Sequence, residues 1–422
     1  MRAEKRSVIA ILLLAAVTGA LCPVPLCAKM QLHNLFSLEM VGGGSYLNNS
    51  LDSFDGNLII DWMPALKFNT DFSLIPHYYG IYSANRNLSE LEGGSILYQE
   101  TQNHRLSLKT VYRLQENMGL KTSAFYSGEL TRETTNQNWW EGLYNYNQGG
   151  IDIEIKMNFP HLESPLNILS GYSFYMNLFP NYVSLASTEY GQELVGGKAI
   201  IGERAFDYNA NELYFNFDIQ AWPRGIYESS YTFTRHDYSD QKVVNNQSNY
   251  TDTRRTDFLH HLTLSLKYFF PRFSPDKNIA MSPSLIPSFE FDFLHSNQNY
   301  YDVDELLFMP SFYTYFQQKM CIPLTLKFYE PFVFNLYVSY SYALKTYISR
   351  TARAADGSYY SGQRLQKRIS EISVNFIYPL NDNFSVVASA GFVGSRSNTL
   401  YEKVYLYNYD AWNYLVGINY AN

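Results

Sequence analysis

A two-residue alternation of apolar and polar side chains, renewed along the chain from about Phe36 to Asn422, limits most strongly how this sequence can fold. Ile151, Ile153, Ile155, Met157 and Phe159 interleave with Asp152, Glu154, Lys156 and Asn158, and Leu213, Phe215, Phe217 and Ile219 interleave with Tyr214, Asn216, Asp218 and Gln220. Successive side chains of a strand point to opposite faces, so each stretch makes a strand with one apolar and one polar face. A soluble sandwich also alternates, but the continuous apolar runs of a two-sheet core are scarce here. The recurrence of the pattern, with 38 Tyr, indicates an all-β fold: a single transmembrane antiparallel up-and-down β-barrel with its apolar faces toward lipid.

The segments 34–46, 56–63, 67–82, 104–114, 119–130, 148–159, 166–179, 211–221, 226–237, 258–270, 284–297, 311–328, 332–346, 368–378, 384–394 and 410–421 read as sixteen strands. Boundary error leaves a range of about 14–18. The connections alternate between short and long, as when one rim carries periplasmic turns and the other extracellular loops. Pro64, Pro160, Pro165, Pro223, Pro271, Pro275, Pro331 and Pro379 fall in short connections. Proline has no N–H for a ladder and belongs where a strand stops. Trp62, Trp222, Tyr268, Tyr329, Tyr378, Tyr409 and Trp412 stand near strand ends, where amphipathic rings form girdles at the lipid headgroups.

Arg2, Lys5 and Arg6 precede an apolar run from Ser7 to Leu21 that is too short to span a bilayer. Residues 1–28 therefore read as a secretory signal peptide cut after Ala28, leaving 29–422 as the barrel. Cys22 and Cys27 depart with the signal, so Cys321 is the one cysteine left and no intrachain disulfide is expected. The full chain has 32 Lys+Arg against 39 Asp+Glu; removing three basic residues and one acidic takes its charge from −7 to −9. That acidity argues against nucleic acid as a partner, which demands clustered Lys and Arg.

Function is to be sought in the lumen. The alternation turns Lys67, Arg105, Lys109, Arg113, Lys121, Lys156, Lys267 and Lys327 inward, along with Asp61, Asp71, Glu129, Asp152, Glu154, Asp218, Glu228, Glu290, Asp292 and Glu371. So many charges imply water or a paired network inside, and a barrel this wide has room for an aqueous channel. The slight acidic excess implies a weak preference for cations.

Three loops bear on that channel. Residues 180–210 form the longest, and Leu194, Val195, Lys198, Ile200 and Ile201 within it are candidates for a constriction folded into the pore or for an extracellular hairpin. The 347–368 stretch is basic through Arg350, Arg353, Arg364, Lys367 and Arg368 and fits a rim against lipopolysaccharide phosphates. The 131–147 loop offers Trp139, Trp140, Tyr144 and Tyr146 for stacking on sugars or for interfacial anchoring.

No enzyme, metal site or cofactor is expected. His260 and His261 are adjacent in a strand and face opposite ways, with His260 on the lipid side. The acidic pairs Asp152/Glu154 and Glu290/Asp292 share a face, where they hold a divalent cation or answer nearby Lys and Arg.

Residues 34–422 resemble the single-chain outer-membrane β-barrels of Gram-negative bacteria, and the run Gly56-Asn57-Leu58-Ile59-Ile60-Asp61-Trp62-Met63-Pro64-Ala65-Leu66 loosely resembles barrels associated with exopolysaccharide export. The resemblance implies export through the periplasm to the outer membrane. It implies contact with outer-membrane lipid and lipopolysaccharide, and a porin-like channel passing small hydrophilic solutes or glycans. The alternative is a non-transport barrel, either an accessory of exopolysaccharide secretion or a structural outer-membrane partner. The pattern specifies no oligomeric state.

Overall fold

The computed structural model describes residues 30–47, 50–84, 100–132, 136–160, 164–182, 204–276, 279–303, 305–401 and 407–422; of 47, 50–55 and 275–276 it describes the backbone alone. The proposed signal peptide and the constriction candidates Leu194, Val195, Lys198, Ile200 and Ile201 lie outside the described residues.

The strands are β1 (Gln31–Leu47), β2 (Ser50–Lys67), β3 (Phe72–Ser83), β4 (Glu100–Gln115), β5 (Met118–Arg132), β6 (Tyr146–Phe159), β7 (Leu166–Leu178), β8 (Tyr208–Trp222), β9 (Gly225–Val244) and β10 (Tyr250–Phe269). There follow a short β11 (Phe273–Asp276), β12 (Ile279–Leu285), β13 (Ser288–Ser296) and a hairpin of β14 (Tyr300–Asp302) and β15 (Leu307–Met309). The chain ends with β16 (Tyr315–Glu330), β17 (Phe334–Arg353), β18 (Tyr359–Pro379), β19 (Phe384–Ser397) and β20 (Tyr409–Ala421). All pairings are antiparallel, and β20 returns to β1 from Ser37↔Ala421 to Leu47↔Ala411, which closes the sheet. β12 and β13 both lie between β10 and β16 and act as one stave broken at Ile286-Pro287, while β11 flanks β12. The wall thus has sixteen staves, the number indicated by the alternation.

Side-chain parity follows the pleat. Leu106, Ile153, Leu213, Phe215, Phe289, Val416 and Ile418 stand exposed on the outer face. On the opposite face, bonds between ionised and polar side chains run from stave to stave: Lys121–Glu154, Lys267–Glu228 and Lys319–Glu290. Water inside and hydrocarbon outside is the one arrangement that leaves both faces satisfied.

Several strands run further than their alternating segments. β9, β10 and β17 have 20 residues each and β18 has 21. Beyond the hydrocarbon no side needs to be apolar, so the alternation fades while the backbone ladder continues. The basic 347–368 stretch is therefore a hairpin with its tip at 354–358 rather than a loop. Similarly, β1 and β2 pair out to Leu47↔Ser50, which shortens the first outer connection to residues 48–49.

Two of the expected positions are corrected. Pro64 lies inside β2, paired with Asn34, and not in a turn. The β2–β3 ladder is interrupted there, between Trp62↔Tyr78 and Leu66↔Leu74, where Pro64 and Pro76 fall opposite each other. Neither proline has an N–H to offer, so the strand continues and the pairing lapses. Asp71 sits in the β2–β3 turn, held by Asn69, and is not part of the wall.

A closed sheet has no edge from which detergent can unpair it. The folded protein should therefore run on a gel at one mobility unheated and at another after boiling; a single mobility would contradict closure. Register is tested by a neighbouring pair on β8. Phe215→Arg, on the outer face, should cost about 2–4 kcal/mol in denaturant titration of the lipid-embedded barrel, and Asn216→Arg, on the inner face, well under half of that.

Candidate functional site: the barrel interior

Each sequence-selected interior residue with a described partner is tied to a neighbouring stave. Asp152 accepts hydrogen bonds from the Ser123 and Ser173 hydroxyls at 2.6 Å each, and Glu154 accepts from Lys121 Nζ at 3.2 Å and the Tyr214 hydroxyl at 3.3 Å. Asp218 takes the Asn167 amide at 2.6 Å, and Glu228 takes Lys267 at 2.5 Å and Ser265 at 3.2 Å. Glu290 lies 3.5 Å from Lys319, while Asp292 contacts His261 Nδ1 at 2.5 Å and Gln317 at 3.0 Å. Each acidic pair is thus divided among separate cations and donors. Arg113 and Lys156 share the inner face nearer the rim of short turns, both exposed.

The geometry adds residues that the sequence reading passed over: His77, Glu39, Glu212, Lys319 and Lys345 share the inner parity. Their signal was available, since each stands an even number of positions from a selected residue or from a partner of one. His77 was obscured by Pro76 beside it, which breaks the strand pattern.

A cavity of about 240 Å³ lies on this wall, lined by His77, Arg105, Lys109, Lys121, Ser123, Asp152, Glu154 and Tyr214 from five strands. Two glycines shape it. A Cβ on Gly171 would come within 2.2 Å of the Tyr214 ring, which lies flat across β7 to reach Glu154 on β6. A Cβ on Gly150 would come within 2.8 Å of the Phe125 ring, which lies across β6 and carries the Arg105 guanidinium 4.1 Å from its centroid. Only glycine leaves space for a ring against the backbone at these points. Lys109 Nζ donates to His77 Nδ1 at 3.3 Å, and His77 Nε2 meets Asp61 Oδ1 at 2.8 Å.

His261 joins Asp292 on one side and the Thr263 hydroxyl, 3.0 Å from Nε2, on the other. The connectivity is that of a charge-relay triad. However, β10 is paired on both sides, to β9 and β13, so its N–H groups are committed to the ladder and cannot form an oxyanion hole there. His260 faces outward among Tyr231, Phe233 and Phe293.

The outer end is a packed collar. Arg255, fully buried, binds both Asp257 oxygens, at 3.0 and 2.5 Å, between the rings of Tyr238 and Tyr313. Arg353 joins Asp302 of the β14–β15 hairpin and Tyr359; burial and the Asp302 carboxylate push the Tyr359 phenol up, which keeps it a donor. Arg350 packs on Phe312 and Tyr347. Arg350 and Arg353 of the basic stretch thus turn toward protein. In the 131–147 loop, Tyr144 and Tyr146 pack among Phe179, Tyr182 and Phe206, Trp139 lies against Arg132, and Trp140 is 72% exposed.

If Tyr214 lies over Gly171 as described, Gly171→Ala should destabilise the barrel by about 1–3 kcal/mol through overpacking. The same change in a Tyr214→Ala background should cost measurably less. Additive losses in denaturant titration would separate the two residues.

No protein-family model matches the chain, and no curated protein matches it in sequence. Among solved structures it is similar to a bacterial polysaccharide outer membrane secretin, at 10% identity and a TM-score of 0.45, covering 92% of this chain and 97% of that one. It is also similar to outer-membrane expressed OmpT of Vibrio cholerae (10% identity, TM-score 0.43, covering 93% and 98%) and to an anion-selective porin from Comamonas acidovorans (8%, 0.36, covering 93% and 100%). These are likenesses of fold. A closed sheet of sixteen antiparallel staves, apolar outside and charged within, is the architecture of a Gram-negative outer-membrane β-barrel.

Proposed function

We propose that the protein is an outer-membrane porin-like channel giving passive, weakly selective passage to small hydrophilic solutes, exported by a signal peptide at residues 1–28 and set among lipid and lipopolysaccharide. One observation carries the reading: interior ion pairs remain open to solvent. Lys267 and Glu228 are each 34% exposed, and Lys121 is 41% exposed beside Glu154. Charges in a dry, plugged interior would be far more enclosed. Glu39 and Glu212 join the interior acids, Asp71 leaves them, and Lys319, Lys345 and Lys367 join the bases. The acidic excess read from the sequence shrinks, and with it the reason for cation preference.

In a planar bilayer the protein should give stepwise conductance, with a reversal potential close to zero under a salt gradient. A folded, inserted barrel that carries no current would sink the channel reading. The second reading, an accessory of exopolysaccharide secretion or a structural partner, is favoured by one feature. The β10–β11 and β12 arms project beyond the neighbouring turn at 223–224, carrying exposed Phe270, Phe273 and Ile279 on the rim that faces the periplasm.

A further inference from the structure

The interior cavity holds two cations, Arg105 and Lys109, that make no direct ion pair among the described residues, with Asp61 and Asp152 acting on Lys109 only across a gap. Among the described residues, no carboxylate lies within ion-pair distance of Arg105 or Lys109, although every neighbouring acid is engaged elsewhere. Lys109 contacts a His77 ring nitrogen, which supplies no negative charge. The Arg105 guanidinium lies 4.1 Å from the Phe125 ring centroid, a cation–π contact that commits none of its N–H donors to a carboxylate. Arg105 and Lys109 line the same cavity and repel each other across it, and an anion entering between them offsets that repulsion.

We propose that this cavity is a binding subsite for an acidic sugar, its carboxylate or phosphate held by Arg105 and Lys109. The anion accepts charge-assisted hydrogen bonds from both cations. The sugar hydroxyls donate to Asp152 and Glu154, whose oxygens keep lone pairs beyond those already used by Ser123, Ser173, Lys121 and Tyr214. The volume, about 240 Å³, is below the ~300–1,000 Å³ of drug-sized sites and accommodates one sugar unit. The acids near the anion serve discrimination: an ion bearing no hydroxyls meets repulsion there without compensating hydrogen bonds. The proposal deepens the channel reading by naming its solute, and its physiological meaning rests on that reading; binding itself requires no conduction.

The test is calorimetric titration of the full-length, detergent-folded protein with galacturonate, galactose 1-phosphate, galactose and inorganic phosphate. Both acidic sugars, or one of them, should bind about tenfold or more tightly than galactose, the scale of a lost charged hydrogen bond. Which of the two binds identifies carboxylate or phosphate as the anion. In R105Q/K109Q that advantage should vanish, whereas Arg272→Gln, a charge removed at the far rim, should leave it unchanged. Equal binding of galactose and both acidic sugars, or an undiminished advantage in R105Q/K109Q, would overturn the subsite. Inorganic phosphate binding as tightly as the preferred acidic sugar would overturn the role given to Asp152 and Glu154. Heat-modifiable mobility checks that the variants fold, and the four-ligand comparison on the unaltered protein stands without them. Binding without conductance would remove the channel and keep the subsite.

Discussion

The backbone's own hydrogen bonds govern this structure. In hydrocarbon an N–H or C=O has no water to turn to, and a sheet that spans a bilayer must leave no edge. The β1–β20 pairing meets that demand, joining residues near the two ends of the described chain over eleven register pairs from Ser37↔Ala421 to Leu47↔Ala411. Once the sheet is closed, the pleat assigns each side chain to lipid or lumen without further choice. The polar character of the interior then follows: a closed cylinder of this girth encloses more space than its inward side chains fill, and water is the available filler.

Within that constraint the interior is organised by side chains that cross strands. Asp152 draws together β5 and β7 from its place on β6, and Glu154 gathers β5 and β8. Tyr214 and Phe125 reach across their neighbours because the intervening positions, Gly171 and Gly150, are bare. The collar is organised differently, by buried arginines clasped between rings, as Arg255 is between Tyr238 and Tyr313. One end of the molecule is therefore a small protein core built on strand extensions, and the middle is a lattice of charged and polar side chains.

The membrane-embedded part was legible in the sequence because lipid imposes a rule on every second residue. Ile153 and Glu154 announce their faces by alternation alone, and the stave count follows from counting such runs. The extramembrane part was not legible: Arg255 and Asp257, or Arg353 and Asp302, meet through long-range pairing that leaves no periodic trace. Pro64 misled for a related reason. A proline signals the loss of one N–H, and the strand can end there or continue past a lapsed bond; the outcome depends on Pro76, which only the fold brings opposite. Of the interior cluster, the charges could be named in advance. That Arg105 and Lys109 stand without carboxylates could not, because it depends on which neighbours the acids choose.

The facing prolines have a mechanical meaning. Where the β2–β3 ladder lapses, the wall is joined by the side-chain bond from Asp61 to His77, and His77 in turn receives Lys109. The lapsed seam therefore lies one strand away from Lys109, whose own strand β4 is paired on both sides. Because β2 stays paired to β1 and β3 to β4 across this point, the two staves can shift slightly against each other without unzipping the wall. Two prolines thereby give the wall a seam that side chains hold where backbone rungs do not.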